Sequence, residues 1–353
     1  MLVRVISHLR QEGHHIHVVN LTFLRDHQAA LEAQSVTIYN APLSKPFAAL
    51  STLWHVRKQM KSAKPLAIIG WMYVGNLISY LLHLCLPRGP KLIWSVRQSL
   101  DFWANERRST KGAIWLSRFL SGRVDNLIFN AHLSERQHRD FGFRGKKHTV
   151  IGNGFQLPSP TDIAKNRALY RDMLGLKETD IVLGAVGRFH PVKGYDLLSA
   201  AWQITHDNQK SSSQTNYLCV VGAHVPEGWA SLPGGADNVI LHDKHDDAIS
   251  FMCAFDGLVL TSYAEAFPNV VGEAMSVRLP VIASDVGDVA HLIPDSAFMF
   301  AKGDIDALAN QMRLFFDLDQ NQRRQIGDKN REAISRQYDM THIIESYKIS
   351  FGL

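Results

Sequence analysis

Short apolar runs alternate with helical stretches along almost the whole chain, and this alternation constrains the fold more than any other feature of the sequence. Strands that alternate with helices form βαβ units, and such units build a parallel sheet. The first series of strands is predicted at residues 35–39, 67–70, 92–96, 126–129 and 148–151. Helices are predicted between them at residues 46–62, 76–84, 112–121 and 134–141.

The chain opens on a helix that feeds a strand. Leu2, Val5, Ile6 and Leu9 recur at the spacing of one helix face, and Gly13 is expected as the C-cap. The segment HIHVVNL then alternates as a strand does. The first predicted element of the α/β pattern is therefore a helix.

A second series follows the segment IGNGFQLPSPTD, whose glycines and prolines predict a linker. Strands are predicted at residues 180–189, 216–223, 238–243, 257–262 and 280–284. Helices are predicted at residues 195–204, 248–253, 270–277, 308–316, 320–338 and 341–350. The sequence thus predicts two doubly wound α/β domains in tandem, with ligands at the carboxyl ends of the strands in the cleft between them.

Charge divides the chain at the same linker. Residues 1–158 contain 21 Lys and Arg but 8 Asp and Glu, a net charge of +13, whereas the remainder carries −8. A basic half suits anionic lipid, phosphates or nucleic acid. Because no nucleic-acid motif is present, an anionic membrane surface is the predicted partner, and an ordinary solvated surface is the alternative.

Three scattered cysteines, Cys85, Cys219 and Cys253, argue for a reducing compartment and against a disulfide framework or a zinc site. The long apolar run at residues 66–86 contains Gly70 and Asn76, and we interpret it as a buried strand followed by a buried helix rather than a membrane span. No signal peptide is recognised. The expected location is cytoplasmic.

Two glutamates, Glu265 and Glu273, stand eight positions apart in SYAEAFPNVVGEAMSVRLPVIASDVG, between two predicted strands. Pro268 is expected just inside the start of the intervening helix, whose first amides near residues 269–271 suit an anion. Carboxylates repel an anion but accept hydrogen bonds from sugar hydroxyls. The stretch therefore predicts a sugar nucleotide, and the alternative is a capping glutamate plus a solvated one.

This stretch closely resembles the E-x7-E signature of the retaining glycosyltransferases of the GT-B fold, family 4, with Ala266 and Arg278 where glycine is usual. VGRFHPVKGYDLLSAAW resembles the second signature of that family, and VIGNGF resembles its interdomain segment, with Gly152 at the usual proline. The resemblance implies two Rossmann-like domains facing across a cleft. These would be residues 1–158 on the acceptor side, residues 159–338 on the donor side, and a final helix at 339–353 that packs back on the first domain.

The resemblance also implies roles for the donor-side residues. Arg188 and Lys193 would hold the donor diphosphate, beside Gly187, where the backbone passes close to the ligand. Glu273 would take the ribose hydroxyls, and Glu265 would lie against the transferred sugar. The sugar–phosphate site would be lined by the backbone at Phe267, Pro268, Asn269 and Val270.

Further residues are expected near the nucleotide base and the acceptor. His242, Asp243 and Lys244 fall in a loop that lies near the donor base in relatives; a metal cluster is the weaker interpretation of this loop, and no metal or cofactor is expected. The acceptor side is expected at Trp71, Tyr73, Asn76 and Arg97. Val74 occupies the place where related sequences often carry a histidine, which puts that acceptor contact in doubt.

Family members begin with a strand and a glycine-rich turn ahead of the first helix, and this sequence begins inside that helix. The expectation is therefore that the first strand and the Gly-rich turn are missing, through a misassigned start or a truncated gene. In the second case the first sheet would be compromised and activity lost.

The implied function is metal-independent, retaining transfer of a hexose or N-acetylhexosamine. The donor would be a UDP- or GDP-sugar, and the acceptor a lipid-linked or other oligosaccharide, at the inner face of the cell membrane. One alternative is a truncated, catalytically silent relative that retains nucleotide binding. A sugar-nucleotide epimerase of the same fold is another, and a glycan phosphorylase is the weakest because no pyridoxal-binding lysine is recognised.

Overall fold

The computed structural model describes residues 1–22, 28–86, 89–207, 215–232, 237–294 and 298–353. The chain forms two compact units. Unit 1 comprises Met1–Gly154 together with Thr341–Leu353, and unit 2 comprises Phe155–Met340. The first crossing between the units falls four residues before the predicted boundary at residue 158, and the second falls two residues after residue 338.

The described residues of unit 1 form six parallel strands in two sheets. Strands β1 (His17–Asn20) and β2 (Thr37–Asn40) pair with each other. A four-stranded sheet has the order β3 (Ala67–Trp71), β4 (Lys91–Val96), β5 (Asn126–Phe129) and β6 (His148–Val150). Each strand in this sheet follows a helical crossover, so the predicted parallel sheet is confirmed.

Within the described part of this unit, six α-helices precede or connect these strands: α1 (Leu2–Gln11), α2 (Gln28–Glu32), α3 (Pro46–Ala63), α4 (Met72–Leu84), α5 (Arg108–Leu120) and α6 (His132–Phe141). Side chains on one face of β4 and β5 form an apolar core with α4 and α5. Both strands are almost entirely buried, which explains their continuous apolar sequence.

Two details of unit 1 differ from the sequence prediction. The C-cap of α1 is Glu12, and Gly13 follows it at φ +88°, where its backbone amide hydrogen-bonds the Arg10 carbonyl. Helix α4 begins at Met72, four residues before the predicted start, because residues 72–75 continue the helix directly from β3. The helix α2 was not predicted.

Unit 2 contains one six-stranded parallel sheet in the order β12-β11-β10-β7-β8-β9. Its strands are β7 (Ile181–Val186), β8 (Asn216–Val221), β9 (Val239–His242), β10 (Gly257–Leu260), β11 (Val281–Ser284) and β12 (Met299–Phe300). Strand order reverses between β7 and β10. In doubly wound sheets such a reversal opens the crevice in which ligands bind.

The helices of unit 2 are α7 (Pro160–Met173), α8 (Tyr195–Asp207), α9 (Val225–Trp229), α10 (Ala248–Met252), α11 (Asn269–Ser276), α12 (Val289–Leu292), α13 (Ile305–Asp317) and α14 (Gln320–Tyr338). Bounds for α14 match the prediction, whereas α7, α9, α12 and β12 were not predicted.

Helix α7 corrects the linker prediction, which had covered its first residues. Pro160 was interpreted as a break, but it stands at the first helical position, where its missing N–H costs nothing. Ser159 caps the helix by accepting a hydrogen bond from the Asp162 amide at 3.1 Å. The buried Arg171 then pairs with Asp256 at 3.3 Å and fixes α7 to unit 2.

The chain returns to unit 1 through α15 (Met340–Phe351), of which Thr341 onward belongs to that unit. The side chains of Tyr347 and Phe351 are buried there, and Tyr347 stacks on Trp71 with ring centroids 6.3 Å apart. Within the described ranges, none of the helices combines the length and hydropathy of a membrane span. The apolar run 66–86 forms the predicted strand and helix, β3 and α4, but neither is fully buried: Ile69, Leu81 and Leu84 are 38%, 57% and 61% exposed.

Candidate functional site

The switch point of unit 2 brings together the loops that follow β7 and β10. The Thr261 hydroxyl donates to the Lys193 carbonyl at 2.8 Å, and the Tyr263 amide donates to the Val192 carbonyl at 2.8 Å. Between these loops, Gly194 adopts φ +64°, and a Cβ there would lie 2.1 Å from the Thr261 carbonyl oxygen. The glycine is therefore required for this close approach.

Lys193 and Glu265, which are 72 residues apart in sequence, form an ion pair in this crevice. The Lys193 Nζ lies 2.7 Å from Glu265 Oε1, and the side chains are 23% and 16% exposed. The Ser262 hydroxyl donates to the same oxygen at 2.8 Å. Two donors on one carboxylate oxygen fix the position of the Glu265 side chain.

Arg188 follows β7 directly after Gly187, whose carbonyl accepts a hydrogen bond from the Tyr195 hydroxyl at 2.7 Å. The Arg188 side chain is exposed, and it forms no ion pair or hydrogen bond with any described residue. An arginine without a carboxylate partner offers all five of its N–H donors to an anion. Near it, Lys193 is the second cation.

Helix α11 begins at Asn269, one residue before the predicted start at residue 270. Pro268, which was expected just inside the helix, is instead its extended N-cap. Pro268 has no N–H, so the backbone amides at this end of the helix belong to Phe267, Asn269 and Val270. The Phe267 ring is buried, where it stacks on Phe155 and meets Tyr338 edge-on. This packing fixes the loop that carries Glu265.

Glu273 is the fifth residue of α11 and is half-buried, whereas Glu265 lies in the loop before the helix. The Glu265 and Ala266 carbonyls close against Gly287, where a Cβ would lie within 2.7 Å of both oxygens. Arg278, at the other position where the family carries glycine, has φ +66°, a left-handed conformation that strains a side chain. The two glutamates therefore flank the start of one helix, as the spacing predicts.

The loop after β9 holds His242, Asp243 and Lys244. Its side-chain hydrogen bonds are local: Asp243 accepts a hydrogen bond from the Lys244 amide at 2.7 Å, and Asp247 caps α10 by accepting from the Ser250 amide at 3.1 Å. Among the described residues, no group of His, Cys, Asp or Glu side chains is arranged to hold a metal ion. The proximity of this loop to a nucleotide base stays a prediction.

In unit 1, the four expected acceptor-side residues differ in exposure. Tyr73 and Asn76 are buried, and the Tyr73 hydroxyl lies 2.7 Å from the His138 imidazole. Trp71 and Arg97 are half-buried at the carboxyl ends of β3 and β4. Their contact with an acceptor stays a prediction, as does the effect of Val74, which is 41% exposed on α4.

Two features of the candidate sites were not predicted. Ser262 was part of the quoted stretch, but only the structure shows that its hydroxyl orients Glu265. Met72 adopts φ +64° between β3 and α4, and such strained non-glycine residues concentrate at functional sites. No pattern in the sequence signals this strain, because methionine is an ordinary helix residue.

Both halves of the sequence match known family models. Residues 1–157 match the model described as Glycosyltransferase Family 4, and residues 180–317 match the model described as Glycosyl transferases group 1.

Two curated relatives illustrate the similarity. The teichuronic acid biosynthesis glycosyltransferase TuaC of Bacillus subtilis is 27% identical over 241 residues, which are 65% of this chain and 56% of that protein. The lipopolysaccharide glucosyltransferase WaaG of Escherichia coli is 28% identical over 190 residues, 50% of this chain and 48% of that protein. The chain thus spans about half the length of the curated relatives that it matches.

Solved structures confirm the GT-B fold. Anabaena HepE in complex with UDP-glucose has a TM-score of 0.79 at 19% sequence identity, with 99% of this chain and 94% of that chain covered. WaaG has a TM-score of 0.73 at 18% identity, with the same coverage of both chains.

Proposed function

The chain belongs to the glycosyltransferases of family 4, and on that premise we propose that it transfers a sugar from a nucleoside diphosphate sugar to an acceptor hydroxyl in bacterial polysaccharide biosynthesis. One observation carries the proposal. At the switch point of unit 2, Arg188, which pairs with no described residue, and the Lys193–Glu265 pair supply two cations and a fixed carboxylate ahead of the start of α11. The two cations can stabilise the negative charge of a diphosphate, and the carboxylate can accept hydrogen bonds from sugar hydroxyls.

The donor is proposed to bind with its diphosphate on Arg188, Lys193 and the amides of Asn269 and Val270. Glu273 accepts hydrogen bonds from the ribose hydroxyls, and the free oxygen of Glu265 accepts from a hydroxyl of the transferred sugar. HepE was crystallised with UDP and with UDP-glucose, which supports a nucleotide sugar as the ligand. The titration with UDP and with GDP described below identifies the base of the donor nucleotide.

The reaction is proposed to retain configuration at the anomeric carbon. The bond from that carbon to the leaving phosphate oxygen breaks, and the acceptor oxygen bonds to the carbon on the same face. The acceptor proton passes to the departing phosphate oxygen. Arg188 and Lys193 supply the positive charge that stabilises the leaving diphosphate, so the proposed mechanism calls for no metal ion.

Calorimetric titration of the purified chain with UDP and with GDP tests the donor site. We expect one nucleotide to bind, and Arg188→Gln and Glu273→Gln to weaken it at least about tenfold, because each removes a charged partner. Arg324→Gln serves as the control, since Arg324 is an exposed arginine of α14. If neither nucleotide binds a folded chain, or if both site variants bind as well as the control, the assignment is wrong.

We propose that unit 1 binds an anionic membrane surface, where the chain meets a lipid-linked acceptor. Helix α3 contains no acidic residue, and Phe47, Leu50 and Trp54 lie on one face at 87%, 64% and 55% exposure. The Lys58 Nζ lies 3.8 Å from the Trp54 ring centroid. Helix α5 also lacks acidic residues, and its exposed side chains include Trp115, Leu116 and Phe119. Exposed aromatic residues beside lysine and arginine suit the interface of an anionic bilayer.

Vesicle flotation tests this partner. The chain is expected to float with vesicles that contain phosphatidylglycerol and not with vesicles of phosphatidylcholine alone, and Trp54→Ser with Lys58→Gln should reduce flotation. Leu169→Ser in unit 2, which removes an equally exposed apolar side chain, is the control. Equal binding to both vesicle types, or to neither, would contradict the proposal.

A further inference from the structure

The carboxyl edge of the four-stranded sheet in unit 1 places a basic side chain beside unsatisfied acceptors. Trp71 is aligned with Ser95, and Ser95 with Ile128, so these three side chains point to one face of the sheet. Arg97 lies two residues beyond Ser95 and therefore points to the same face. Asn130 stands next to it, because its backbone amide donates to the Val96 carbonyl at 3.2 Å.

Arg97 is held in place by neutral groups. Its guanidinium donates to the Tyr347 hydroxyl at 2.6 Å and to Asn153 Oδ1, and it lies 4.9 Å from the centroid of the Trp71 ring. Burial raises the pKa of Tyr347, so the phenol stays uncharged although the neighbouring guanidinium opposes this effect. No carboxylate of a described residue pairs with Arg97. The positive charge is thus oriented but not neutralised.

Two acceptors beside this arginine have no donor. Asn130 is 4% exposed, and its Oδ1 has no hydrogen-bond partner among the described residues; the Ser95 hydroxyl, on a fully buried residue, has none either. A buried acceptor without a donor is destabilising, so such atoms are usually satisfied by water or by a ligand. A hydroxyl group on a bound molecule would supply the missing donor.

We propose that Arg97 binds an anionic group of the acceptor, a phosphate or a carboxylate, while Asn130 accepts a hydrogen bond from a hydroxyl next to that group. This inference rests on the proposed glycosyltransferase function, and it names the chemical class of acceptor: an anionic glycan or glycosyl phosphate rather than a neutral sugar. The guanidinium has five N–H donors, and the two hydrogen bonds to Tyr347 and Asn153 leave donors for a bidentate contact.

The experiment measures anion binding at unit 1 in the full chain. A background carrying Arg188→Gln and Lys193→Gln removes the proposed phosphate contacts of unit 2, and inorganic phosphate and malonate are the two probes. Tryptophan fluorescence reports the site because Trp71 lies under the guanidinium. The signal of Trp71 is the difference between this background and the same background with Trp71→Phe. The two probes distinguish a phosphate from a carboxylate.

We expect at least one anion to change the Trp71 emission, and Arg97→Gln to weaken its apparent affinity at least about tenfold. Arg97→Lys keeps the charge, so its loss of anion affinity should be smaller. This variant tests the role of the charge even if Arg97→Gln disturbs α15. Arg123→Gln is the matched control, since Arg123 also donates to a tyrosine hydroxyl, that of Tyr80, at 3.1 Å.

Two results would overturn the inference: no response of Trp71 to either anion, or equal affinity in the Arg97 variants and the control. If Arg97 only joins α15 to Asn153, the Arg97 variants should lower thermal stability and leave anion affinity unchanged. The unaltered chain is titrated with UDP and with GDP in a separate experiment, which tests the proposed donor site. Nucleotide binding without an anion response refutes only this inference, and an anion response without nucleotide binding refutes the proposed donor site.

Discussion

Acid is expected to destabilise unit 1 through one buried histidine, His138 of α6. Its Nδ1 lies 2.7 Å from the Ser134 carbonyl, which only accepts, so Nδ1 carries the proton. Its Nε2 then accepts from the Tyr73 hydroxyl at 2.7 Å. Burial lowers the pKa of His138 to about 4, against 6.5 for an ordinary histidine, although the Ser134 bond opposes the shift. The neutral imidazole is fully satisfied where it lies.

The magnitude follows from this difference in pKa. Above about pH 6.5 the histidine is neutral in both states, and unit 1 keeps its full stability. Between about pH 6.5 and about pH 4 the unfolded chain binds a proton that the folded unit rejects. Each pH unit in this range therefore removes up to about 1.4 kcal/mol from the free energy of unfolding. From about pH 7 to about pH 5 the loss is about 2 kcal/mol, and the total at still lower pH is about 3 kcal/mol.

Urea unfolding read by pulsed hydrogen exchange and mass spectrometry follows peptides of β4 and β5, which report unit 1 alone. The wild-type chain is expected to lose about 2 kcal/mol more than His138→Gln between the two pH values. Phe143→Leu is the control, because Phe143 packs edge-on against His138 with ring centroids 5.0 Å apart. It should lower stability but keep the pH dependence. Equal pH dependence in wild type and His138→Gln would refute the reasoning.

Two further predictions concern unit 2. Gly194→Ala should cost about 1–2 kcal/mol for the left-handed conformation plus the clash with the Thr261 carbonyl, and it should weaken UDP binding. Gly175→Ala, at φ +66° with open space around it, should show the conformational cost alone; equal losses of stability in urea unfolding would contradict this account. Glu265→Gln should tighten UDP binding severalfold in calorimetry while abolishing sugar transfer, because it frees Lys193 from its carboxylate; weaker UDP binding would disprove the proposed competition.

The fold was predictable where a pattern repeats over several residues. Strand β5 and helix α14 have the predicted bounds, because a short buried run and a long polar helix were both recognisable in the sequence. Helix α7 was missed because proline marks both linkers and helix starts. Short elements such as α9 and β12 lack enough residues for a period to be recognised.

The candidate donor site was predictable as a set of residues but not as a geometry. Motif resemblance supplied Arg188, Lys193 and Glu265, yet the 2.7 Å contact between Lys193 and Glu265 depends on β7 and β10 being neighbours in the sheet. Likewise, Arg97 and Tyr347 are 250 residues apart, and only tertiary structure shows their hydrogen bond. Local sequence sets the side chains available, and topology sets which of them meet.

The two ends of unit 2 are themselves joined by backbone hydrogen bonds. The Phe155 amide donates to the Tyr338 carbonyl at 2.9 Å, and the Met340 amide donates to the Phe155 carbonyl at 3.2 Å. For protein engineering, residues 155–340 therefore form a cassette whose entry and exit lie side by side. Excision at these two points yields termini that are already adjacent, and the corresponding unit of another member of the family needs only the same pair of junctions to be grafted in its place.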